Sequence, residues 1–395
     1  MTTSAPVKPQ KAPEGLEAYR PPASMLKGTH GDVIWYRDLD SNSPACLANA
    51  RSNELVVHLS ESVHGKPIAV SGIIALPKKA APAGGYPVIS WAHGTVGCAD
   101  HCAPSRDVVD GEAHRFNVSP HGLLNKFLDR GWAVVMTDYE GLGTEGPHPY
   151  LLGKSQARGI LDIVRAARQL HPELSDQFAI VGHSQGGQAA LFGAHHAPEW
   201  TPELTLHGVA AMAPASAIGS LVTLACEGEE PSEGNAFVAL FLSGAFAGDP
   251  SIKPEDVLGP EALKVYHHVE ERGRIRLGST EDSWGKLTGK QLLRSEKSAS
   301  RAALFRQFRA MHPNLSIQAP IRISQALADQ RVNAALTTIL VEQLEDTNGE
   351  DKVTYRPYLL VLPAPDPELG IHFGLITRDS DEVTNWLAGL LPKVE

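Results

Sequence analysis

No stretch of the 395-residue sequence approaches the roughly 18 consecutive apolar residues of a membrane-spanning helix, so a transmembrane segment is not expected. Cysteine is scarce. Cys46, Cys98, Cys102 and Cys226 are too few in a chain of this length to form a disulfide scaffold. Cys98 and Cys102 are close enough in sequence to pair if the compartment is oxidising. An excess of positive charge is missing as well. The formal net charge is -10 with His neutral, which argues against nucleic acid as a partner. The opening residues, "MTTSAPVKPQKAPEGLEAYRPPAS", lack the apolar core of a signal peptide and are rich in proline. They read as a mobile tail over residues 1–24. The expected location is cytoplasmic as the sequence is written, or outside the cell if a leader has been removed.

Standard zinc spacing is also lacking. His93, Cys98, Asp100, His101, Cys102 and His114 crowd into one segment, but the two cysteines stand four apart with a histidine beside one of them. Neither a metal site nor a cofactor is expected from this pattern.

What the chain does hold is alternation. "NELVVHLSESV" and "KPIAVSGIIALP" flank a turn and read as an antiparallel pair. After them, short apolar runs alternate with segments of helical periodicity: "YPVISWAHG", "GWAVVMTDYEGLG", "FAIVGHS", "LHGVAAMAPAS", "IRISQALAD" and "YRPYLLVLPAP". Nearly continuous apolar strands separated by helices predict an α/β fold with a mostly parallel, doubly wound sheet covered on both faces. The segment 218–315 breaks the alternation. It shows helical patterns and no clear strand, and is expected to be a helical cap inserted between residues 25–217 and 316–395 of the core. "DEVTNWLAGLL" reads as an amphipathic closing helix.

In such sheets, reactive residues gather beyond the carboxyl ends of the strands. His93, Asp138, Ser184 and Asp329 all occupy that position. "GHSQG", Gly182 to Gly186, fits the G-x-S-x-G turn that lifts a serine oxygen above the sheet between a strand and a helix. Glycine at both flanks removes side chains that the sharp turn could not accommodate. A serine nucleophile requires a base and an orienting acid, in the chain order serine, acid, histidine for this turn. His372 is the histidine beyond the last two strand candidates. It follows "YLLVLPAP" by a loop, "DPELGI", which can bring it over the strand ends. Asp329, at the carboxyl edge of "IRISQALAD", is the favoured acid, with Asp366 as second choice; a helix N-cap would use the same residue type as Asp329. The oxyanion donors expected are the backbone N–H groups of Gln185 and of Thr95, which follows His93-Gly94.

"AHGTVGCADHCAPS", "TDYEGLGTEGPHPYLLGKSQARGILDIVRAAR", "GHSQGGQAALFGA" and "ALADQRVNAALTTILVEQL" resemble the secretory lipase family of α/β-hydrolases, which includes the fungal lipase A type. The resemblance runs from about Gly28 to the C-terminus. It implies the α/β-hydrolase fold, a lid or cap at 218–315, and a triad on Ser184, Asp329 and His372. Two positions depart from the family pattern. Ala326 stands where relatives often have glycine. Ile371 stands where they often carry an acidic residue, which makes the surroundings of His372 more apolar and disfavours the imidazolium. The expected activity is hydrolysis of a small-molecule carboxylic ester through an acyl-enzyme. Acyl transfer or amide hydrolysis by the same triad, and a binding protein that keeps only the fold, are the alternatives. Phe237, Val238, Leu240, Phe241 and Leu242 of the cap would line an apolar substrate site or pack onto the core.

Overall fold

β-Branched and small apolar residues dominate the central strands, and those strands are buried along their whole length, as a sheet covered on both faces requires. The computed structural model describes residues 8–394. Its ten strands are β1 Gln10–Lys11, β2 Val33–Asp38, β3 Ala50–Glu61, β4 Pro67–Pro77, β5 Tyr86–Ala92, β6 Ala133–Thr137, β7 Leu174–His183, β8 Thr205–Met212, β9 Ile321–Ala326 and β10 Val353–Tyr358. They form one sheet in the order β1-β2-β3-β4-β6-β5-β7-β8-β9-β10. From β6 to β10 every neighbouring pair is parallel. The pairs β2–β3, β3–β4 and β4–β6 are antiparallel. This is the mostly parallel α/β sheet that the alternation implies. β2 is an additional strand, beyond those read from the sequence.

One face of the sheet packs on the helices Gly153–Leu170 and Gln185–Trp200. The other packs on His121–Asp129 and Gly370–Ala388. Between β8 and β9 lie only helices and loops, from Ile218–Ala225 to Ala299–Ala310, gathered around a third apolar cluster that also takes in Tyr150, Leu151 and Leu152.

Two details differ from the sequence expectations, and a third bears on the cysteines. First, the described part of the segment read as a mobile tail is docked. Ala18 and Tyr19 are buried, Tyr19 Oη donates to Ser105 O at 2.9 Å, and Trp35 Nε1 donates to Ala18 O at 2.8 Å. A buried aromatic outweighs the local bias of its proline-rich neighbours. Residues 1–7 lie outside the described residues. Second, the last strand is Val353–Tyr358 and stops before the leucines. Its partner β9 ends at Ala326, opposite Tyr358, so nothing remains to pair with Leu359 onward. Leu359, Leu360 and Leu362 are exposed. Third, Cys98 and Cys102 are free thiols, as are Cys46 and Cys226. Cys98 packs in the apolar cluster built around the helices of 218–310 and Cys102 in a separate core cluster. Burial pushes the Cys102 thiol up to about 12.

A buried ion pair fixes the closing helix to the sheet. Arg322 of β9 donates through both terminal nitrogens to Asp379 at 2.6 Å each, and Tyr358 Oη of β10 donates to the same carboxylate at 2.6 Å. Arg322 and Asp379 are both nearly inaccessible to solvent. Removing Asp379 would leave the buried Arg322 with only the partly exposed Glu382 at 3.9 Å, at a cost of about 3–5 kcal/mol. Asp379→Asn is therefore expected to lower unfolding free energy by an amount in that range, measured by urea denaturation. A loss below about 1 kcal/mol would show that the pair does not anchor the helix.

Candidate active site

Ser184 joins β7 to the helix Gln185–Trp200 with φ 60° and ψ −118°, a conformation that costs a non-glycine residue energy and persists only where its surroundings impose it. The surroundings are visible. A Cβ on Gly182 would run into the carbonyl of Gly186, and one on Gly186 would run into the carbonyl of Ala92. Only bare backbone allows the helix to start this close to β5. The serine N–H donates to Met212 O at 2.8 Å, and its carbonyl accepts from Ala215 N at 3.2 Å, so the turn is also tied to the end of β8.

His372 lies in the first turn of the helix Gly370–Ala388. Its Nδ1 and Asp329 Oδ2 are 2.7 Å apart, and both side chains are buried. Asp329 Oδ1 accepts the N–H groups of Arg331 at 2.8 Å and Val332 at 3.1 Å. The helix that follows begins at Ala334 and is capped by Asn333, so Asp329 is not its N-cap. The second choice for the acid, Asp366, instead pairs with Arg115 at 3.2 Å. Desolvation lowers the His372 pKa below its ordinary 6.5, against the opposing effect of Asp329; Arg331 and Arg274 reinforce the lowering. The Asp329 carboxyl is itself held low, with desolvation outweighed by His372 and the two backbone donors.

His183 is a site residue that the sequence did not flag. Its Nε2 lies 3.0 Å from the backbone carbonyl of His372, and the two rings lie with centroids 4.4 Å apart, tilted by 46°. Burial drives its pKa well below 6.5, so the ring is neutral and donates to that carbonyl. The strand that presents Ser184 thereby grips the helix that presents His372.

The facing loop after β5 carries the second expected oxyanion donor. His93 is neutral by burial, its pKa lowered to about 4, and its Nδ1 lies 2.8 Å from Gly94 O. Tyr139 Oη donates to His93 O at 3.1 Å. Thr95 is held from two sides: Oγ1 lies 2.5 Å from Tyr150 Oη, and its carbonyl accepts from Arg274 Nη1 at 3.1 Å. A Cβ on Gly94 would sit 3.1 Å from His183 O and 3.6 Å from Ser184 Cβ, so a side chain there would crowd the serine. Gln185 is the first residue of its helix, where an N–H has no intrahelical acceptor. Its side chain donates to Gln156 Oε1 at 2.8 Å within a buried amide network.

Ser184, His372 and Thr95 line one cavity of about 180 Å³, together with Arg274 and Arg331. Its apolar wall includes Phe237, Val238 and Phe241 of the helix Asn235–Gly248, and Ile218 and Leu221 of Ile218–Ala225. The five apolar positions singled out in the sequence thus divide: Phe237, Val238 and Phe241 line the cavity, while Leu240 and Leu242 pack in the apolar cluster without reaching it. The crowded segment from His93 to His114 does not assemble a ligand set. His114 instead pairs with Asp107 at 2.7 Å. Among the described residues the grouping with metal-ligand spacing is His267, His268 and Glu271, and there Arg272 Nη2 already lies 3.2 Å from His268 Nε2.

The sequence model of the secretory lipase family matches residues 120–255. A protein of Mycobacterium tuberculosis named a probable inactive lipase is 24% identical over 206 residues, covering 51% of this chain and 45% of that protein. Lipase 5 of Candida albicans is 26% identical over 263 residues, covering 63% of this chain and 52% of its own length. The chain therefore spans about half the length of the curated relatives it matches. Among solved structures, Candida antarctica lipase A superposes with a TM-score of 0.73 at 19% identity, over 95% of this chain and 86% of that one. A ligand-bound form of LipA, a rice cell wall degrading esterase from Xanthomonas oryzae, gives 0.71 at 17% identity, over 92% and 98%. The chain resembles the secretory lipase family over its matched segment and has the α/β-hydrolase fold.

Proposed function

We propose that the protein is a serine carboxylic-ester hydrolase in which Ser184, His372 and Asp329 form the catalytic triad. The observation that carries this reading is one cavity holding Ser184 on its strained turn and His372 with its Nδ1 against Asp329. The family likeness and the fold support the same reading, and the name "secretory" supports export over a cytoplasmic location.

In the proposed reaction, His372 Nε2 takes the proton of Ser184 Oγ as the oxygen attacks the ester carbonyl. Asp329 holds the proton on Nδ1, so Nε2 is free to accept. The backbone N–H groups of Gln185 and Thr95 hold the oxyanion of the tetrahedral intermediate. Collapse breaks the bond to the alcohol, which leaves with the proton from His372, and the acyl group stays on Ser184. Water then attacks the acyl-enzyme, passing a proton to His372. Breakdown of the second intermediate frees the acid and returns the proton to Ser184. The relative named as a probable inactive lipase supports a binding protein as the rival; the intact serine, histidine and aspartate of this chain favour turnover.

His372→Ala is expected to reduce kcat on any accepted ester by about 10³-fold or more, with far-UV circular dichroism unchanged. Retention of kcat within tenfold would remove His372 from the base role. The pH dependence follows from the folded state. His372 must be neutral to act, and its pKa lies below the ordinary 6.5. Activity should therefore persist as pH falls through 6.5, with the acid limb of kcat/KM centred below that value. A limb centred above 6.5 would contradict the apolar setting of the ring.

The cavity volume sets a third expectation. About 180 Å³ is close to the roughly 150 Å³ of an engineered cavity that takes a benzene molecule. Compact acyl and alcohol groups fit it; a long acyl chain would extend beyond it. Among p-nitrophenyl esters, kcat/KM for the butyrate should exceed that for the palmitate. The reverse order would show that the enclosed cavity is not the working acyl site.

A further inference from the structure

Two arginines face the reacting groups, and the proposed ester hydrolysis of a neutral substrate uses neither. Arg274 comes from the cap segment, in the short helix Arg274–Leu277, and Arg331 follows the acid Asp329 by two residues. Both line the cavity that holds Ser184 and His372. Arg274 is only 9% exposed. Long charged side chains are seldom buried to this extent without a partner of opposite charge.

No such partner is present. Among the described residues, no carboxylate lies within ion-pair distance of either guanidinium. The nearby acids are committed elsewhere or point outward. Glu112 accepts from Gly273 N at 2.6 Å and from Arg276 Nη1 at 2.7 Å. Asp329 is held by His372 and by two backbone donors. Glu368 is exposed, and its backbone carbonyl accepts from Arg331. Of the five N–H donors of Arg274, the Nη1 group serves Thr95 O at 3.1 Å. The rings of Phe116 and Phe237 lie 4.0 Å and 5.3 Å from its guanidinium carbon. Those faces ease burial of the cation without neutralising it. Arg331 likewise spends its donors on backbone carbonyls, those of Leu369 and Glu368. Burial, with the neighbouring Arg331 second, pushes the Arg274 pKa down to about 9, the direction expected for a cation that lacks its counter-ion.

A purely structural role explains part of this. Arg274 ties the cap to the oxyanion loop, since its N–H also reaches Val96 O at 3.4 Å. A strut of that kind needs one hydrogen bond and no charge. Two unpaired cations beside an apolar wall fit something more: a substrate group that brings the missing negative charge. We propose that the preferred substrate is a compact ester carrying a carboxylate, which Arg274 and Arg331 bind while Ser184 attacks the ester carbonyl. Planar guanidinium forks match a carboxylate in geometry, and a largely desolvated pair discriminates strongly against a neutral group of the same shape. This proposal rests on the hydrolase reading of the same cavity and goes beyond it by naming the substrate class.

The test compares 3-acetoxybenzoate with 3-acetoxybenzamide, and monomethyl adipate with methyl heptanoate, pairs of similar size that differ in charge. The expected result is a kcat/KM about 10- to 100-fold higher for the acid of at least one pair, as for a charged hydrogen-bonded group. The preference should fall at least tenfold in Arg274→Gln and shrink with added salt. Arg331→Gln serves as the second variant should Arg274→Gln fail to fold, and Arg274→Lys should retain part of the preference. Equal kcat/KM within both pairs, with the neutral esters turned over, would overturn the proposal and leave the hydrolase reading standing. A variant that slows acid and neutral partner by the same factor would also overturn it, reducing Arg274 to a strut. Binding to Ser184→Ala, measured by calorimetry, is independent of turnover. Tighter binding of 3-acetoxybenzoate than of 3-acetoxybenzamide supports the anion site even if no ester is hydrolysed, and equal affinity refutes it.

Discussion

The close approach of two backbones at Gly182 and Gly186 governs the geometry of the site. The helix after β7 can start against β5 because neither glycine has a Cβ, and this forces Ser184 to a positive φ. Everything else in the cavity is arranged around that fixed oxygen. β8 anchors the turn through Met212 O, and the loop after β5 faces it with Thr95. His183, between the first glycine and the serine, holds the carbonyl of His372. The strain at one residue is therefore distributed into hydrogen bonds on three neighbouring elements, which is how such a conformation persists.

A second device links the proposed acid and base. Asp329 follows β9, and His372 starts the helix that returns across the sheet. The Arg322–Asp379 pair joins that same strand to that same helix, with Tyr358 of β10 completing the cluster. The 2.7 Å contact between Asp329 and His372 thus lies between two elements already locked together in the core. Preorganisation of this kind lets the imidazole be oriented before any substrate arrives. The helices of 218–310 contribute differently. They supply the apolar wall and, through Arg274, a hydrogen bond to the carbonyl of Thr95, so the lining of the cavity and the position of the loop after β5 are coupled.

Much of this was legible in the sequence, for reasons that particular residues make plain. The strand β7 and its glycine-boxed serine could be read because a buried parallel strand is continuously apolar and a sharp turn demands glycine. Asp329 stood out by position, as a candidate acid just past an apolar run. His372 was singled out by chain order, but the stretch before it was misread. "YLLVLPAP" has the composition of a strand, yet β9 is too short to pair with it, so the leucines are exposed and the histidine opens a helix. Tyr19 was hidden within a proline-rich stretch, because its burial against Ser105 depends on a contact 86 residues away. Arg274, Arg322 and His183 were invisible for the same reason. A charge or a ring gives no local sign of what it faces across the fold.

The account rests on Ser184 being a nucleophile activated by His372. Intact-protein mass spectrometry after exposure to a fluorophosphonate tests this directly, with peptide mapping to locate the adduct. The expected result is one adduct per chain, on Ser184, absent in Ser184→Ala and strongly slowed in His372→Ala. A wild-type protein that stays unmodified, or carries the adduct on another residue, would contradict it.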